Sequence, residues 1–248
     1  LLQCLNNTKQ WADDIFIYDD ASTDSSQDIY LKFTSDDKII FGKSASWKME
    51  GFHKAELLKL VLSHNPDWIV WQDGDEILDR TLTTNMKQIL SDHEGHGYLK
   101  VHLLNLWRHP AYHRTDGNWN SVMLPAIWRN TGSLKFNPSE GLHRAQWPED
   151  MQNEVSLPYH ILHYAYTSKR AIVRKYLDYK AEGLRGMWID RIADESSMSL
   201  SKVPKEIYPV ENVPGDYETA TPPEPCCYDE YFGYANWQDC QNAVGDTL

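Results

Sequence analysis

The chain has little cysteine. Four occur in 248 residues, at Cys4, Cys226, Cys227 and Cys240, and none forms a Cys-x-x-Cys pair. A disulfide framework is therefore not expected, and a reducing cytoplasm is the expected compartment. Long apolar runs are also missing. None approaches the ~20 residues that cross a bilayer, so no membrane span is expected. Positive charge is short: 24 Lys and Arg stand against 36 Asp and Glu, a net charge of -12. That balance disfavours the backbone of nucleic acids and anionic membranes as partners. There is no internal repeat, and no secretory signal opens the chain. The first residue is Leu1 and not methionine, which reads as a fragment. Asn6-Asn7-Thr8 is formally a glycosylation acceptor, and a single match carries little weight. What is present is a globular composition, 41% hydrophobic. The length suffices for one large domain, or for one domain plus an appendage.

One stretch organises the rest, Trp68-Ile69-Val70-Trp71-Gln72-Asp73-Gly74-Asp75-Glu76-Ile77-Leu78. Its β-branched and aromatic opening predicts a short buried strand. Three carboxylates then fall within four positions, Asp73, Asp75 and Glu76, around Gly74. A glycine there permits a sharp turn or the close approach of a ligand. Asp73 and Asp75 are two apart, so an extended backbone sends both side chains to one face. Two carboxylates so placed repel unless a cation or a shared proton lies between them. All-oxygen ligands favour a hard ion such as Mg²⁺ or Mn²⁺. An acidic turn with no ligand is the bland alternative. A calcium loop is excluded, because Ile77, Leu78 and Thr84 stand where it needs an oxygen ligand, a glycine and a glutamate. Asp79, just past the strand end, is read as a bystander to both the site and stability.

In chain order, residues 1–11 predict a short helix and Ile15-Phe16-Ile17-Tyr18 a strand. The loop Asp19-Asp20-Ala21-Ser22-Thr23-Asp24 follows, with Asp24 and Gln27 spaced as a capping box. The next helix buries Ile29, Tyr30 and Phe33, and residues 38–41 read as a second strand. Leu57, Leu58, Val61 and Leu62 mark a further helix up to His64, before the Trp68 strand. This alternation through residue 78 predicts an α/β fold with a mainly parallel, Rossmann-like sheet flanked by helices. Ligands of such sheets gather beyond the carboxyl ends of the strands. Both acidic loops, 19–24 and 73–76, belong at those ends and are expected to face one cleft.

Residues 81–90 predict a helix, 97–107 and 121–129 strands, and 108–120 and 137–150 loops. Ser168 caps a helix carrying Ile172, Val173, Tyr176 and Leu177 that stops at Gly183. Its other face, with Lys169, Arg170, Arg174 and Lys175, reads as solvated. Prolines 204, 209, 214, 222, 223 and 225 predict an irregular, extended tail. The expected division is a domain over 1–200 and a tail over 201–248.

Two stretches together resemble a known family. Ile15-Phe16-Ile17-Tyr18-Asp19-Asp20-Ala21-Ser22-Thr23-Asp24 looks like the opening motif of family-two glycosyltransferases, and Trp71-Gln72-Asp73-Gly74-Asp75-Glu76 resembles their Asp-x-Asp metal motif. The resemblance covers roughly residues 1–180. It implies a GT-A fold that binds a nucleotide-sugar donor and transfers the sugar to a glycan, lipid-linked or protein hydroxyl. It places Asp19 and Asp20 near the base and ribose, with Ser22 and Asp24 of the same loop on the donor side. It gives Asp73 and Asp75 to Mn²⁺ or Mg²⁺, with His163 as the late histidine near the metal and His160 second. It assigns proton abstraction from the acceptor to a carboxylate, for which Glu140 is the candidate, beside Asp75 in its catalytic role at the metal. The chain departs from the family by lacking the strand that precedes the first helix. The Gln-x-x-Arg-Trp motif of processive synthases is absent, which argues against a polymerising enzyme.

Other readings are a sugar-nucleotide pyrophosphorylase and a non-enzymatic carbohydrate- or nucleotide-sugar-binding module. The first needs a glycine-rich basic loop after the first strand, and none stands there. The second draws on ten tryptophans and fourteen tyrosines. A zinc site from His143, His160 and His163 is a minor reading, since histidines three apart on a strand face opposite sides.

Overall fold

The structure, a computed structural model, describes residues 1–43, 49–138, 147–149, 151–184, 189–190, 192, 194–226 and 228–245. They fall into two units, residues 1–102 with 123–161 and residues 103–122 with 162–248.

The first unit begins with the expected alternation, α1 (Leu2–Thr8), β1 (Ile17–Asp19), α2 (Ser26–Tyr30), β2 (Ile39–Phe41), α3 (Glu50–Ser63) and β3 (Trp68–Val70), and a further short strand, β4 (Glu76–Leu78), follows the acidic turn. β1 and β2 pair in parallel, Ile17 with Ile39 and Asp19 with Phe41. β3 does not join them. It pairs antiparallel with β7 (Met123–Arg129), Ile69 opposite Trp128 and Val70 opposite Ile127. β7 in turn pairs antiparallel with the first half of β5 (Tyr98–Trp107). The expectation of one mainly parallel sheet is therefore corrected: β1 and β3 lie in separate sheets, and the sheet of β3 is antiparallel at these joints. The reason is connectivity. A parallel neighbour needs a crossover of about a dozen residues or more. β3 takes its partner from strands after residue 98, where, among the described residues, no α-helix separates one strand from the next until residue 169.

Burial joins β1 and β3 where no ladder does. Leu58 and Val61 of α3 form one cluster with Ile69, Trp128, Leu134 and Phe136, and Phe16 and Trp71 pack against it. A second cluster, Leu5, Tyr30 and Ile39, takes in Ile17, Ile29 and Phe33, the expected buried face of α2. The start of α2 differs from expectation. Ser25 is its N-cap residue, and Asp24 Oδ1 accepts from Ser26 N at 2.9 Å instead of closing a box with Gln27. The predicted helix over 81–90 is two, α4 (Arg80–Thr84) and α5 (Met86–Asp92), broken at Asn85. β8 (Glu154–Tyr166) begins in this unit and pairs with β4.

In the second unit the end of β5 turns at Arg108, φ 58°, into β6 (His109–Arg114). β6 pairs antiparallel with β5 and with β9 (Leu200–Lys202). The loop expected over 108–120 is thus a strand followed by a 3-10 turn, Gly117–Asn120. Arg114 is buried with its guanidinium 4.6 Å from the Trp107 ring, and Asp116 accepts from it at 2.8 and 3.0 Å. α6 (Lys169–Ala181) has the expected ends: Ser168 Oγ accepts from Ala171 N at 3.1 Å, and Gly183 takes φ 77°.

The segment after residue 202 is not an extended arm. It folds into short 3-10 turns and two helices, α7 (Asp229–Phe232) and α8 (Trp237–Val244), and buries Tyr208, Tyr228 and Cys240. These helices cover part of the charged face of α6 that reads as solvated, at Lys169 and Arg170, while Arg174 stays exposed. Lys169 Nζ lies 3.2 Å from Tyr231 Oη, Lys180 Nζ donates to Phe232 O at 2.7 Å, and Arg170 sits 5.3 Å from the Trp237 ring. Cys4 and Cys240 are free thiols. No helix among the described residues is long and apolar enough to cross a membrane.

Candidate functional site

β3 carries the chain into the acidic turn. Trp71 N still donates to Ala126 O at 2.8 Å, and its ring lies 5.3 Å from Trp128. The turn then closes on Glu76. Its carboxylate accepts from Asp73 N at 3.0 Å, its amide donates to Asp73 O at 3.1 Å, and its carbonyl accepts from Gln72 Nε2 at 2.6 Å. Glu76 is therefore buried and structural, whereas Asp73 and Asp75 remain exposed.

α1 holds this turn from one side. Asn7 brackets Leu78, accepting from its amide at 3.3 Å and donating to its carbonyl at 3.5 Å. Cys4 Sγ donates to Asp73 O at 3.6 Å. Burial pushes the Cys4 thiol up to about 11, so it stays protonated and acts as a donor, not a nucleophile. Gly74 does not adopt a left-handed backbone, and a Cβ there would meet Leu1 Cδ1 at an ordinary 3.5 Å. Chain geometry thus does not demand glycine at 74. Asp79 is no bystander. It is buried, caps α4 by accepting from Leu82 N at 2.7 Å, and accepts from His160 N at 2.6 Å.

The second acidic loop follows β1. Asp19 points inward, its Oδ1 accepting from Ser22 N at 2.8 Å and its Oδ2 from Tyr30 Oη at 2.5 Å. Burial pushes this carboxyl up, but the Tyr30 and Ser22 hydrogen bonds together outweigh it and hold the group below its usual value. Burial and the same contact raise the Tyr30 phenol. Asp20 turns toward α3, where its Oδ1 lies 3.6 Å from His53 Nδ1, and the His53 ring lies 4.4 Å from Tyr18. Ser22 and Asp24 are exposed.

Two residues of this loop's support escape a reading of the motifs. His53 is one. Gly42 is the other: its amide donates to Asp19 O at 2.7 Å, and a Cβ there would come within 3.0 Å of that oxygen and 3.3 Å of Asp20 Cα. The available signal was a glycine directly after the apolar run of β2, at the carboxyl end of a parallel strand.

Glu140 and His143 lie outside the described residues. His163 belongs to the second unit, where its Nδ1 lies 2.8 Å from Asn105 Oδ1 and its ring meets Tyr166 edge-on. His160 belongs to the first unit, with Nδ1 3.3 Å from Asp79 Oδ2. No three His, Cys, Asp or Glu side chains among the described residues group as a metal site. Two exposed carboxylates on one turn still fit a hard divalent ion, provided substrate oxygens and water complete its shell, as Mg²⁺ sites on phosphate substrates commonly do.

No protein-family model matches the chain. No curated protein matches it either. Among solved structures, it is similar to the crystal structure of S. aureus TarS 1-349, at a TM-score of 0.42 and 14% identity, over 77% of this chain and 64% of that one. The chain thus spans less than two thirds of that structure's length, and likeness of this degree carries no inference about activity.

Proposed function

We propose that the chain is a metal-dependent glycosyltransferase that moves a sugar from a nucleotide-sugar donor to a hydroxyl acceptor. The observation that carries this reading is the turn after β3. It spends Glu76 on its own closure and leaves Asp73 and Asp75 exposed, two positions apart. A net charge of -12 makes bare binding of a diphosphate unfavourable. Asp73 and Asp75 would hold Mn²⁺ or Mg²⁺, which when bound neutralises the diphosphate and the departing nucleoside diphosphate.

The chain's own residues have separate tasks in this scheme. Asp19, with both oxygens occupied, shapes the first acidic loop. Asp20, Ser22 and Asp24 meet the nucleoside. Glu140 takes the proton of the acceptor hydroxyl as the sugar's anomeric carbon leaves the donor phosphate oxygen for the acceptor oxygen.

Asp75→Asn tests the reading, because it keeps the shape of the turn and removes one charge. Calorimetric titration with nucleoside diphosphates should show Mn²⁺-dependent binding in the parent and none in the variant. Stability should change by less than about 0.5 kcal/mol, as for most surface substitutions. Equal binding by both proteins in Mn²⁺ would reduce the motif to an acidic turn and remove the chemical basis of the proposal. Donor binding without transfer to any acceptor would assign the chain to recognition instead.

A further inference from the structure

We propose that His102 and His160 form a two-histidine site for a borderline-soft divalent metal such as zinc, with Asp79 as the group that orients the second ligand. The site is distinct from the Asp73–Asp75 turn and does not depend on the glycosyl-transfer reading.

The two histidines come from paired strands, His102 on β5 and His160 on β8. Their ring centres are 5.7 Å apart and their planes inclined by 29°. With Zn–N bonds of about 2.0–2.1 Å, imidazoles sharing a tetrahedral zinc hold their centres about 5 Å apart. The observed spacing exceeds that value by less than about 1 Å.

The carboxylate behind His160 is the second, independent observation. Asp79 is buried and fixed by the Leu82 and His160 amides, and its Oδ2 lies 3.3 Å from His160 Nδ1. An imidazole whose Nδ1–H is given to a carboxylate carries its lone pair on Nε2, the arrangement found behind metal-bound histidines. The His160 side chain is 26% exposed, so an ion can reach it. Water would fill the remaining positions.

A rival pair sits at the end of α5. His93 and His96 have ring centres 5.5 Å apart, and His93 Nδ1 lies 2.7 Å from Ile89 O. His96 Nδ1, however, is buried without a hydrogen-bond partner, so nothing fixes that ring's tautomer. The carboxylate and the two paired strands favour His102 and His160.

The experiment is a zinc titration of the full chain by calorimetry, with thermal unfolding followed in parallel. Saturable binding is expected in the parent, with a higher unfolding midpoint in zinc. His102→Gln and His160→Gln should abolish both effects. Asp79→Asn, which still caps a helix, should weaken binding by about tenfold or more. His93→Ala should bind as the parent does. His102→Gln decides the matter alone if His160→Gln fails to fold. No saturable binding, binding unchanged by His102→Gln, or loss of binding in His93→Ala would each overturn the proposal.

Discussion

Asp19 and Asp73 carry the same side chain in the same kind of place, at the end of a short strand, and they are used in opposite ways. Asp19 is turned inward onto Tyr30 Oη and Ser22 N, whereas Asp73 stays in solvent. The pKa of Asp19 is held below its unfolded value, so its contribution to stability is present above about pH 4 and is lost as the pH falls through the folded value. Tyr30→Phe removes one donor to this carboxylate. It should cost about 1.5–3 kcal/mol near pH 7, in the range of hydrogen bonds to charged groups. Urea unfolding at pH 7 and pH 3 checks this: the gap between parent and variant should shrink in acid. A gap that does not change with pH would mean that the carboxylate is not the partner. Gly74 separates chain from ligand in the same way. Nothing in the backbone or its neighbours opposes a methyl group there. Gly74→Ala should therefore melt no lower than the parent, and up to about 0.4–1 kcal/mol more stable through its unfolded state. Its Mn²⁺-dependent donor affinity should fall if the ligand backs onto that glycine. Unchanged affinity would place the donor elsewhere.

One side chain ties α4 to the β4–β8 pair. Asp79 caps the helix at Leu82 N and also accepts the amide of His160 on β8. Asp79→Ala removes a cap worth about 0.5–2 kcal/mol. It also leaves a partly buried amide without its acceptor, at about 1–3 kcal/mol. The expected loss, on the order of 2–4 kcal/mol, would appear as a lower urea midpoint with an unchanged slope. A loss under about 0.5 kcal/mol would restore the bystander reading. That reading arose because only chain position was visible, and the same limit runs through the fold. Signals confined to a few neighbours were legible: the Ser168 cap, the Gly183 stop, the alternation up to Leu78 and the Asp-x-Asp turn. Pairings made far along the chain were not. β3 reads as part of a parallel sheet until Met123–Arg129 is found beside it. β6, His-Pro-Ala-Tyr-His-Arg, has the composition of a loop and becomes a strand because β5 and β9 flank it. Strand formation depends on such neighbours more than on intrinsic preference. In the candidate site the exposed pair Asp73 and Asp75 could be read, whereas the inward turn of Glu76 and the closeness of Gly42 to Asp19 depend on packing.

The last fifty residues decide how the second unit is built. Their prolines predict an arm that can be removed while the sheet stays folded. Their packing argues the reverse. Glu195, buried, accepts from Trp107 Nε1 at 2.6 Å and Arg108 Nη1 at 3.1 Å, but also from Tyr228 Oη at 2.7 Å and Cys226 N at 2.8 Å. Ending the chain at Val203 would remove two of these four donors from a buried carboxylate. It would also take away Tyr208, Tyr228 and Tyr231 from the interior, and remove the rings of Tyr231 and Trp237 that now lie against Lys169 and Arg170 of α6. Each buried aromatic is worth about 1.5–3 kcal/mol. The three tyrosines alone amount to roughly 5–9 kcal/mol on that scale, against a total stability of about 5–15 kcal/mol for a typical domain. The truncated chain should therefore lose the fixed packing of Trp107 and Trp119. Tryptophan emission should shift to the red, and near-ultraviolet dichroism should weaken without denaturant. Should residues 1–203 instead unfold cooperatively at the parent's urea midpoint with native emission, the tail would be a dispensable appendage and the Glu195 network a consequence of the fold, not one of its supports.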